Sequence, residues 1–501
     1  MSQNVIYLKV ETLTPLHIGS GRELQGNFEY LYFQKEKKIA LIEEEKVLAI
    51  IGRENVEQWL GIIERKNSLL ELLRRRKNNL QPADVARRIM DIPHDGPLND
   101  NTIREQMVDG MGRPVLPGSS FKGSVRTVVV NDLLEKSPGL AKDHQLLGKR
   151  QTNGKSAFGD RGFQNQLIAP NLRKDIPNHD IFRLFRPGDV FFSRTEVFRV
   201  STFNKKMEGW KDEHEISPWL ECIPAGQTSR MRLTRPEDTL LQFLGNHYEG
   251  NFDFPQNPML TEWEKLAPAI NQHTLRLLEE EIAFWKKEGK PAIAGAYMAK
   301  LESLKQQITA LPEGACLIRV GYGGGVNAMT GGWQKRLMAE QDYRDWMKSF
   351  RGAAPHLAFP KTRKVTPRSQ PLGYLLLTPM NEAEVAAWDQ NEQKQKNVSR
   401  AIPATGATPS PKADPPSPPE PVKPQYPPAG TKIRVGTTLD AFVYTSSTGK
   451  QKKIGLYVGK GQDIDLTLAY ASDLILGKII LVEVTAIANG KVTAVKFKGL
   501  K

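Results

Sequence analysis

The sequence predicts an α+β protein in which helical insertions interrupt sheet-forming segments, followed by a separate β-rich C-terminal region. Strand-like and helix-like stretches alternate along residues 1–389 without the regular βαβ repeat of a doubly wound sheet. Residues 403–428 hold 11 of the 34 prolines and cannot bury a core. With 501 residues the chain is too long for one hydrophobic core, so we expect several domains.

The charge balance favours a polyanionic partner. Lys and Arg total 70 against 56 Asp and Glu, which gives a net charge of +14 and an isoelectric point near 9.5. A solvated basic surface would produce the same balance, so charge alone leaves both interpretations open.

Cysteine content and hydropathy indicate a cytoplasmic protein. The two cysteines, Cys222 and Cys316, exclude a disulfide framework and a multi-cysteine zinc site, and they fit a reducing compartment. The N-terminal residues MSQNVIYLKV lack the apolar core of a secretory signal. No run of 18 apolar residues predicts a membrane span.

The first elements are a strand, a polar loop and a hairpin. Val5–Leu13 alternates as a strand does, the loop TPLHIGSGREL follows at Thr14–Leu24, and residues 28–42 are predicted to form a hairpin. Glycines and a serine in this loop expose backbone N–H groups, and Arg22 adds a cation that suits a phosphate. His17 has the chemistry of a general acid or base, but a loop histidine that hydrogen-bonds or stacks on a base explains it as well.

A helix is predicted over Glu54–Lys77, with its apolar side chains on one side. It ends in the basic run RRRK at Arg74–Lys77. Cations at a helix C-terminus interact favourably with the helix dipole, and the same cations suit an RNA backbone. The sequence leaves both interpretations open.

The stretch PVLPGSSFKGSVRT, residues 114–127, predicts a strand, a turn and a helix that continues to Leu134. Free N–H groups at Gly118-Ser119-Ser120 and the helix dipole would form an anion site, and Gly123 would let a backbone approach closely. Lys122 and Arg126 are four residues apart and therefore share one face of the helix. A serine-capped helix with solvated cations is the alternative.

Downstream, a β-like region covers residues 157–233 and a helical insertion covers residues 239–311. A strand at Cys316–Val320 then runs into GYGGGV, Gly321–Val326. This spacing matches neither GxxxxGK[ST] nor GxGxxG, so no nucleotide cofactor is expected. A glycine loop against which an RNA backbone could lie and a plain turn both remain open.

Signals of a nuclease are weak. The dipeptide His179-Asp180 has no metal ligands at a matching spacing, so no metal site is predicted. His94 and Asp95 lie in a polar loop, IPHDGPLND, where a carboxylate would suit in-line RNA cleavage but where loop polarity is a sufficient explanation. No paired-carboxylate motif stands out.

The C-terminal region is predicted to be a small β-barrel on a proline-rich tether. At about 3.1 Å per residue, a 26-residue extended segment reaches roughly 80 Å. Residues 432–501 contain short β-rich runs and an Asn489-Gly490 hairpin signal. Their cations, including Lys450, Lys452 and Lys453, favour auxiliary RNA binding slightly over protein docking.

The motifs in their order along residues 1–380 resemble the RAMP superfamily, most closely the fifth subunit of Csm-type, type III-A CRISPR effector complexes. The motifs that carry this resemblance are TPLHIGSG, PVLPGSSFKGSVRT, AFGD at Ala157–Asp160, HDIFRLFRPGDV, ECIPAG at Glu221–Gly226, RVGYGGGV, PKTRKV and PLGYLLL. The tether and the C-terminal region lie outside this resemblance.

The resemblance implies a ferredoxin-like, RRM-related fold with a β-thumb and helical insertions. It also implies a non-catalytic subunit that caps the 3′ end of the guide RNA and supports its maturation. The implied partners are guide RNA, the other Csm-type subunits, especially the repeated backbone subunit, and host nucleases that trim the guide 3′ end. Two alternatives remain: a metal-independent RAMP endoribonuclease, with His17 as acid or base and Lys122 on the phosphorane, and a protein scaffold.

These inferences define a candidate RNA-binding set and a division of the chain. The candidate residues are His17, Gly19, Ser20, Gly21, Arg22, Gly118, Ser119, Ser120, Lys122, Gly123, Arg126, Gly323, Gly324, Gly325, Lys361 and Arg363. The expected regions are a RAMP core at 1–235, a helical insertion at 236–312, the closing part of the RAMP region at 313–389, a linker at 390–431 and a β-barrel at 432–501.

Overall fold

A computed structural model of the protein confirms the predicted α+β class. It describes residues 5–64, 68–93, 98, 102–144, 147, 150–152, 155–157, 168, 180–206, 209–234, 236, 239–242, 258–288, 294–348, 360–401, 433–445, 452–456, 464–467, 479–488 and 491–500. The chain divides into two compact units, residues 1–396 and 397–501, and each is described by itself.

A five-stranded antiparallel sheet, here called the central sheet, organises the first unit. Its strands, in spatial order, are Arg186–Pro187, Thr228–Thr234, Val5–Thr12, Tyr374–Pro379 and Cys316–Arg319. The strand predicted at Val5–Leu13 is confirmed as the middle strand. Leu8 and Val10 are buried on one face while Lys9 and Glu11 are half-buried on the other, which is the period of two that the sequence shows.

The core of the unit lies between the central sheet and the helix Gly118–Lys136, here called the motif helix. Phe121, Val125 and Val129 recur at helical spacing and pack in one cluster with Leu8 and Val10 of the sheet. The predicted helical insertion contains two helices, Trp263–Glu288 and Ala294–Thr309.

The first unit also contains a seven-stranded mixed sheet, here called the lateral sheet. Its strands, in spatial order, are Gly19–Gln25, Thr102–Gln106, Trp219–Cys222, Glu196–Arg199, Ala86–Asp91, Lys38–Ile42 and Tyr30–Phe33. The predicted hairpin is confirmed, since Tyr30–Phe33 pairs with Lys38–Ile42. The predicted loop at Thr14–Leu24 is wrong in its second half: Gly19–Gln25 is a strand with a bulge between Gly19 and Glu23, because it pairs with Thr102–Gln106.

The helix predicted over Glu54–Lys77 is divided. The helices are Val56–Glu64 and Leu69–Arg76, preceded by a third helix at Glu44–Ile51, and residues 65–67 lie outside the described part. The Ser68 side chain accepts a hydrogen bond from the Glu71 N–H, so Ser68 caps a new helix.

Shorter elements complete the unit. The strands are Ser201–Lys206, between Gly209–Asp212 and Thr362–Val365; Val115–Leu116 with Val190–Phe191; and Arg150–Thr152 with Lys155–Ala157. The remaining helices are Gly325–Thr330, Trp333–Leu337, Glu340–Lys348 and Glu382–Ala401. Single 3₁₀ turns lie at Arg53–Asn55, Pro82–Asp84, Pro138–Lys142, Ile181–Leu184, His214–Ile216 and Pro258–Leu260. The helix that ends at Ala401 extends into the predicted linker, whose later residues lie outside the described part.

The second unit contains one five-stranded antiparallel sheet. Its strands, in spatial order, are Ile464–Thr467, Lys452–Leu456, Thr438–Thr445, Ile479–Ala488 and Lys491–Leu500. Leu439, Ala441, Ile480 and Val482 belong to its buried core. Closure into a barrel stays a prediction, and the turn Asn489-Gly490 and Lys450 lie outside the described residues.

Among the helices that the structure describes, none combines the length and the apolar character needed to cross a bilayer.

Candidate nucleic-acid interface

Three of the predicted segments, far apart in sequence, meet at one groove, here called the glycine groove. It has a volume of about 360 Å³. The lining residues are His17, Ile18, Gly19, Ser120, Gly123, Ser124, Thr127, Arg319, Gly321, Tyr322, Gly324, Ala328 and Met329. The segment with His17 connects the central sheet to the lateral sheet, and Gly321 follows another central strand, so the groove lies where both sheets meet the motif helix.

The motif helix presents small side chains to this groove. Ser120 is followed three and four residues later by Gly123 and Ser124, and Thr127 follows one turn further, so the four form one stripe of the helix. Gly123 is exposed, and a Cβ built on it would meet no atom within 4 Å. A glycine inside a helix is about 1 kcal/mol less favourable than alanine. Within the part of the chain that the structure describes, no packing contact explains this glycine.

The glycine loop is shaped by packing against the His17 segment. Gly321 has a φ of +81°, and a Cβ there would lie 2.6 Å from the His17 carbonyl oxygen. The Tyr322 N–H donates to the same oxygen at 2.9 Å. Gly321 is therefore required by the fold, and it fixes Tyr322 against the groove.

His17 is a neutral wall of the groove. Its Nδ1 lies 2.6 Å from the Glu221 carbonyl oxygen and its ring meets Tyr322 edge-on at 5.7 Å. Burial lowers the pKa of His17, so at neutral pH Nδ1 donates and Nε2 remains an acceptor. Nε2 is 3.4 Å from the position that a Cβ on Gly19 would take, so any other residue at position 19 would place its side chain against this nitrogen.

A second cavity of about 300 Å³ shares Arg319 and Tyr322 with the groove and adds Lys364. Lys364 lies over the Tyr322 ring at 5.9 Å and donates to the Thr202 hydroxyl. Burial, with a smaller contribution from Arg104, lowers the pKa of Lys364 to about 8. Gly323 and Gly325 of the candidate set line this second cavity.

The predicted cations of the motif helix share a face, but that face is not the groove. At about 100° per residue, Lys122 and Arg126 lie about a third of a turn from the small stripe. Arg126 pairs with Asp180 at 2.7 Å and lies over the Phe182 ring at 5.1 Å. Burial lowers the pKa of Lys122, which Asp180 opposes. The two cations therefore belong to a separate flank of the helix.

The predicted anion site at the helix start requires a correction. The Gly118 N–H donates to the Asp189 carboxylate at 2.7 Å, so an internal anion already occupies it. A Cβ on Gly118 would lie 2.2 Å from the Pro187 carbonyl oxygen, which explains the glycine by packing. Ser119 is exposed at the same end, outside the groove lining.

Ser20 and Arg22 of the candidate set make contacts within the fold. The Ser20 hydroxyl donates to Glu105 at 2.9 Å and Arg22 pairs with Glu29 at 2.6 Å; neither lines the groove, nor does Gly21 between them.

Near the second cavity, Arg363 is buried, pairs with Glu281 at 2.6 Å and lies 3.7 Å from the Phe284 ring centroid. This internal pairing corrects its expected role as a phosphate ligand. Lys361 is half-buried, and its carbonyl oxygen accepts from the Lys205 N–H at 2.9 Å.

Tyr322, Lys364 and Thr127 were not predicted as site residues although each lies in a stretch that the sequence singles out. Lys364 belongs to the PKTRKV motif, and it lines the second cavity together with Pro360, Thr362 and Arg363 of that motif. Residues His94, Asp95 and His179 lie outside the described part. Within the described residues, no three His, Cys, Asp or Glu side chains gather in an arrangement that would hold a metal ion.

Comparisons with known proteins agree with this architecture. The curated relatives include the "CRISPR system Cms protein Csm5" of Mycobacterium tuberculosis, in strains CDC 1551 / Oshkosh and H37Rv, at 27% identity over 143 residues. That alignment covers 27% of this chain and only 36% of the relatives' length.

Two solved structures match this chain. The crystal structure of T. onnurineus Csm5 matches with a TM-score of 0.51 and 17% identity, over 73% of this chain and 99% of that one. A chain of a type III-A Csm-crRNA-target RNA ternary complex matches with a TM-score of 0.48 and 19% identity, over 74% and 100%. At these identities the likeness concerns the fold.

The family model described as "RAMP superfamily" matches residues 9–326. This range begins within the strand Val5–Thr12, includes the motif helix and ends with the glycine loop Gly321–Val326. This match covers more than half of the chain and every lining residue of the glycine groove except Ala328 and Met329. The protein therefore belongs to the RAMP superfamily.

Proposed function

We propose that this chain is a guide-RNA-binding subunit of a Csm-type, type III-A CRISPR effector complex in RNA-guided antiviral defence. In this proposal the glycine groove receives the RNA backbone, and the chain caps the 3′ end of the guide and supports its maturation. Its partners are guide RNA, the other Csm-type subunits, above all the repeated backbone subunit, and nucleases that trim the guide.

The observation that carries the proposal is the open stripe on the motif helix. No atom of the described residues lies within 4 Å of a Cβ position on Gly123, and Gly123 lines the groove with other glycines, small hydroxyl residues and two rings. The remaining lining residues are Ile18, Arg319, Ala328 and Met329. Small residues let a sugar-phosphate backbone approach the main chain, while His17 Nε2 offers an acceptor for a ribose 2′-hydroxyl. Lys364 supplies charge at one end.

Family membership and the names of the relatives support the assembly part of the proposal. The relatives in Mycobacterium tuberculosis and T. onnurineus carry the name Csm5. We further propose a ferredoxin-like core, the region boundaries stated above, and a terminal β-barrel that assists RNA binding.

The geometry of His17 favours binding over catalysis. Only 2% of the residue is exposed, and Nδ1 is engaged by the Glu221 carbonyl oxygen. Its lowered pKa leaves little imidazolium for general acid work at neutral pH. Cleavage of guide precursor by the purified full chain without metal, lost in His17→Ala with RNA affinity intact, would support the endoribonuclease alternative instead.

An exonuclease protection experiment tests the capping role. The Csm-type complex is assembled on guide RNA with and without this chain and exposed to a 3′→5′ exonuclease. We expect the complex that contains the chain to protect several more 3′ nucleotides. Equal protection in both complexes would contradict the proposal.

Replacing Gly123 by glutamate tests the groove directly. The added carboxylate would occupy the groove and repel phosphate, so we expect RNA affinity to fall by at least about tenfold across sequences. Gly139→Glu is the matched control, since Gly139 is also exposed with no atom within 4 Å of its Cβ position but lies outside the groove. The measurement is a titration with labelled RNA; equal affinities of the two variants would exclude the groove.

RNA affinity should depend on pH through Lys364. The pKa of about 8 in the free protein means that binding a phosphate takes up a proton above pH 8. Affinity should therefore fall as pH rises from 8, by up to about tenfold per pH unit, and Lys364→Arg should remove that slope because arginine stays charged. The same titration at several pH values checks this, and an unchanged slope in the variant would place the proton elsewhere.

A further inference from the structure

The basic run at Arg74–Lys77 is the strongest sequence signal that the proposed function leaves unused. It lies at the end of the helix Leu69–Arg76, which packs through Leu69 and Leu73 on the strand Tyr30–Phe33. That strand is the last one of the lateral sheet. The run therefore lies beside the strand at one edge of the lateral sheet.

An open groove runs along this edge, and we call it the edge groove. Its volume is about 830 Å³, against about 360 Å³ for the glycine groove. Its lining residues are Gly26, Asn27, Tyr30, Leu31, Tyr32, Gln34, Lys35, Lys37, Ser68, Leu70, Glu71, Arg74 and Leu98. Aromatic rings and cations thus line one continuous surface.

The charges of the edge groove differ from those around it. Other cations of this region are neutralised: Lys38 by Asp91, Lys46 by Glu43, Arg53 by Glu45, Lys77 by Asp84 and Arg22 by Glu29. Lys35 and Arg74 are exposed and have no carboxylate partner within the residues that the structure describes. One carboxylate, Glu71, stands with these two cations in the lining.

Aromatic groups supply the second part of a nucleic-acid surface. Tyr32 is half-buried in the lining, and Phe28, in the turn that precedes the strand, is 52% exposed. Phe28 directly follows Asn27 of the lining, so its exposed ring lies next to the groove along the chain. Proteins that hold single strands combine a basic groove with such rings, on which bases stack.

From these observations we propose that the edge groove is a second, independent binding site for single-stranded RNA. Lys35 and Arg74 contact phosphates, and Phe28 and Tyr32 stack on bases. The end strand of a sheet also suits the addition of a protein strand, but two exposed cations without a carboxylate partner among the described residues favour a polyanion. The site goes beyond the glycine groove and does not depend on it.

Photo-crosslinking distinguishes the two sites. The full chain is irradiated with a single-stranded RNA that carries 5-iodouridine, and crosslinked peptides are identified by mass spectrometry. We expect adducts on the peptide with Phe28 and Tyr32 and, separately, on the peptide with Tyr322 of the glycine groove. Gly123→Glu should remove the Tyr322 adduct alone, so failure of one site is separable from failure of the other.

Charge reversal then tests the edge groove itself. Lys35→Glu with Arg74→Glu should abolish the Phe28 and Tyr32 adducts and lower RNA affinity by about tenfold, with the salt slope reduced by about two. The matched control, Lys265→Glu with Lys335→Glu, makes the same charge change at two exposed lysines outside both grooves. Thermal unfolding of each variant confirms that it folds.

Two results would overturn the proposal. One is unchanged RNA affinity of the charge-reversal variant together with no adduct at Phe28 or Tyr32 in the wild-type chain. The other is unchanged RNA affinity together with lost assembly with the other Csm-type subunits, which would assign the edge to a protein strand.

Discussion

Arg88→Met is expected to destabilise the protein by about 3–5 kcal/mol, because it leaves a fully buried carboxylate without its cation. Glu221 is 0% exposed, and both of its carboxylate oxygens accept from the Arg88 guanidinium, one of them at 3.1 Å. The Thr195 hydroxyl donates to the same carboxylate at 2.7 Å and the Gln106 N–H at 3.1 Å. Urea unfolding measures the loss.

Two controls show whether burial is the cause. Arg53→Met breaks a pair in which both side chains are more than 70% exposed, and it should cost less than about 1 kcal/mol. Arg88→Met combined with Glu221→Gln should recover much of the loss, because the amide keeps an acceptor and removes the unpaired charge. Equal losses for Arg88→Met and Arg53→Met would contradict the prediction.

The same carboxylate connects the lateral sheet to the glycine groove. Arg88, Thr195, Gln106 and Glu221 belong to, or directly precede, four neighbouring strands, so their hydrogen bonds fix the strands relative to one another. The Glu221 carbonyl oxygen in turn holds His17. We therefore expect the groove to lose its shape in Arg88→Met before the central sheet unfolds.

Elements with a clear periodicity were predictable from the sequence. The middle strand of the central sheet shows the alternation that burial on one face requires, and the motif helix begins at the predicted Pro-Gly turn. The strand Gly19–Gln25 was not predictable from the sequence, since its glycines and charged residues give it the composition of a loop. Pairing with Thr102–Gln106, about 80 residues away, overrides that local preference.

The site could be predicted only as a set of segments. Spacing placed Lys122 and Arg126 on one face of the helix, but which face meets the groove depends on the packing of Phe121 and Val125. The anion site at Gly118 failed because Asp189, 71 residues away, supplies the anion. The partner of Arg363 likewise comes from a distant helix, at Glu281. The sequence therefore shows which groups could bind a phosphate, but the carboxylates that already occupy them are brought there only by the tertiary structure.

Gly373→Ala is expected to be destabilising by about 2–5 kcal/mol, because two independent penalties add at one residue. Its φ of +85° disfavours any side chain, and a Cβ would lie 2.0 Å from the Val320 carbonyl oxygen. The backbone cannot move aside easily, since the Gly373 N–H donates to Pro15 at 2.8 Å and its carbonyl oxygen accepts from the Val320 N–H at 2.8 Å.

Gly226→Ala separates the two penalties at Gly373. Gly226 has a φ of +80° but no atom within 4 Å of its Cβ position, so this variant measures the backbone term alone, about 1–2 kcal/mol. Urea unfolding of both variants gives the steric term by difference. Because Val320 precedes the glycine loop and Pro15 precedes the His17 segment, that steric term reports how tightly two walls of the groove are joined. Equal losses of stability in the two variants would mean that the backbone segments at Pro15, Val320 and Gly373 move apart to accommodate a methyl group. The glycine groove would then be a deformable surface whose shape depends on its ligand.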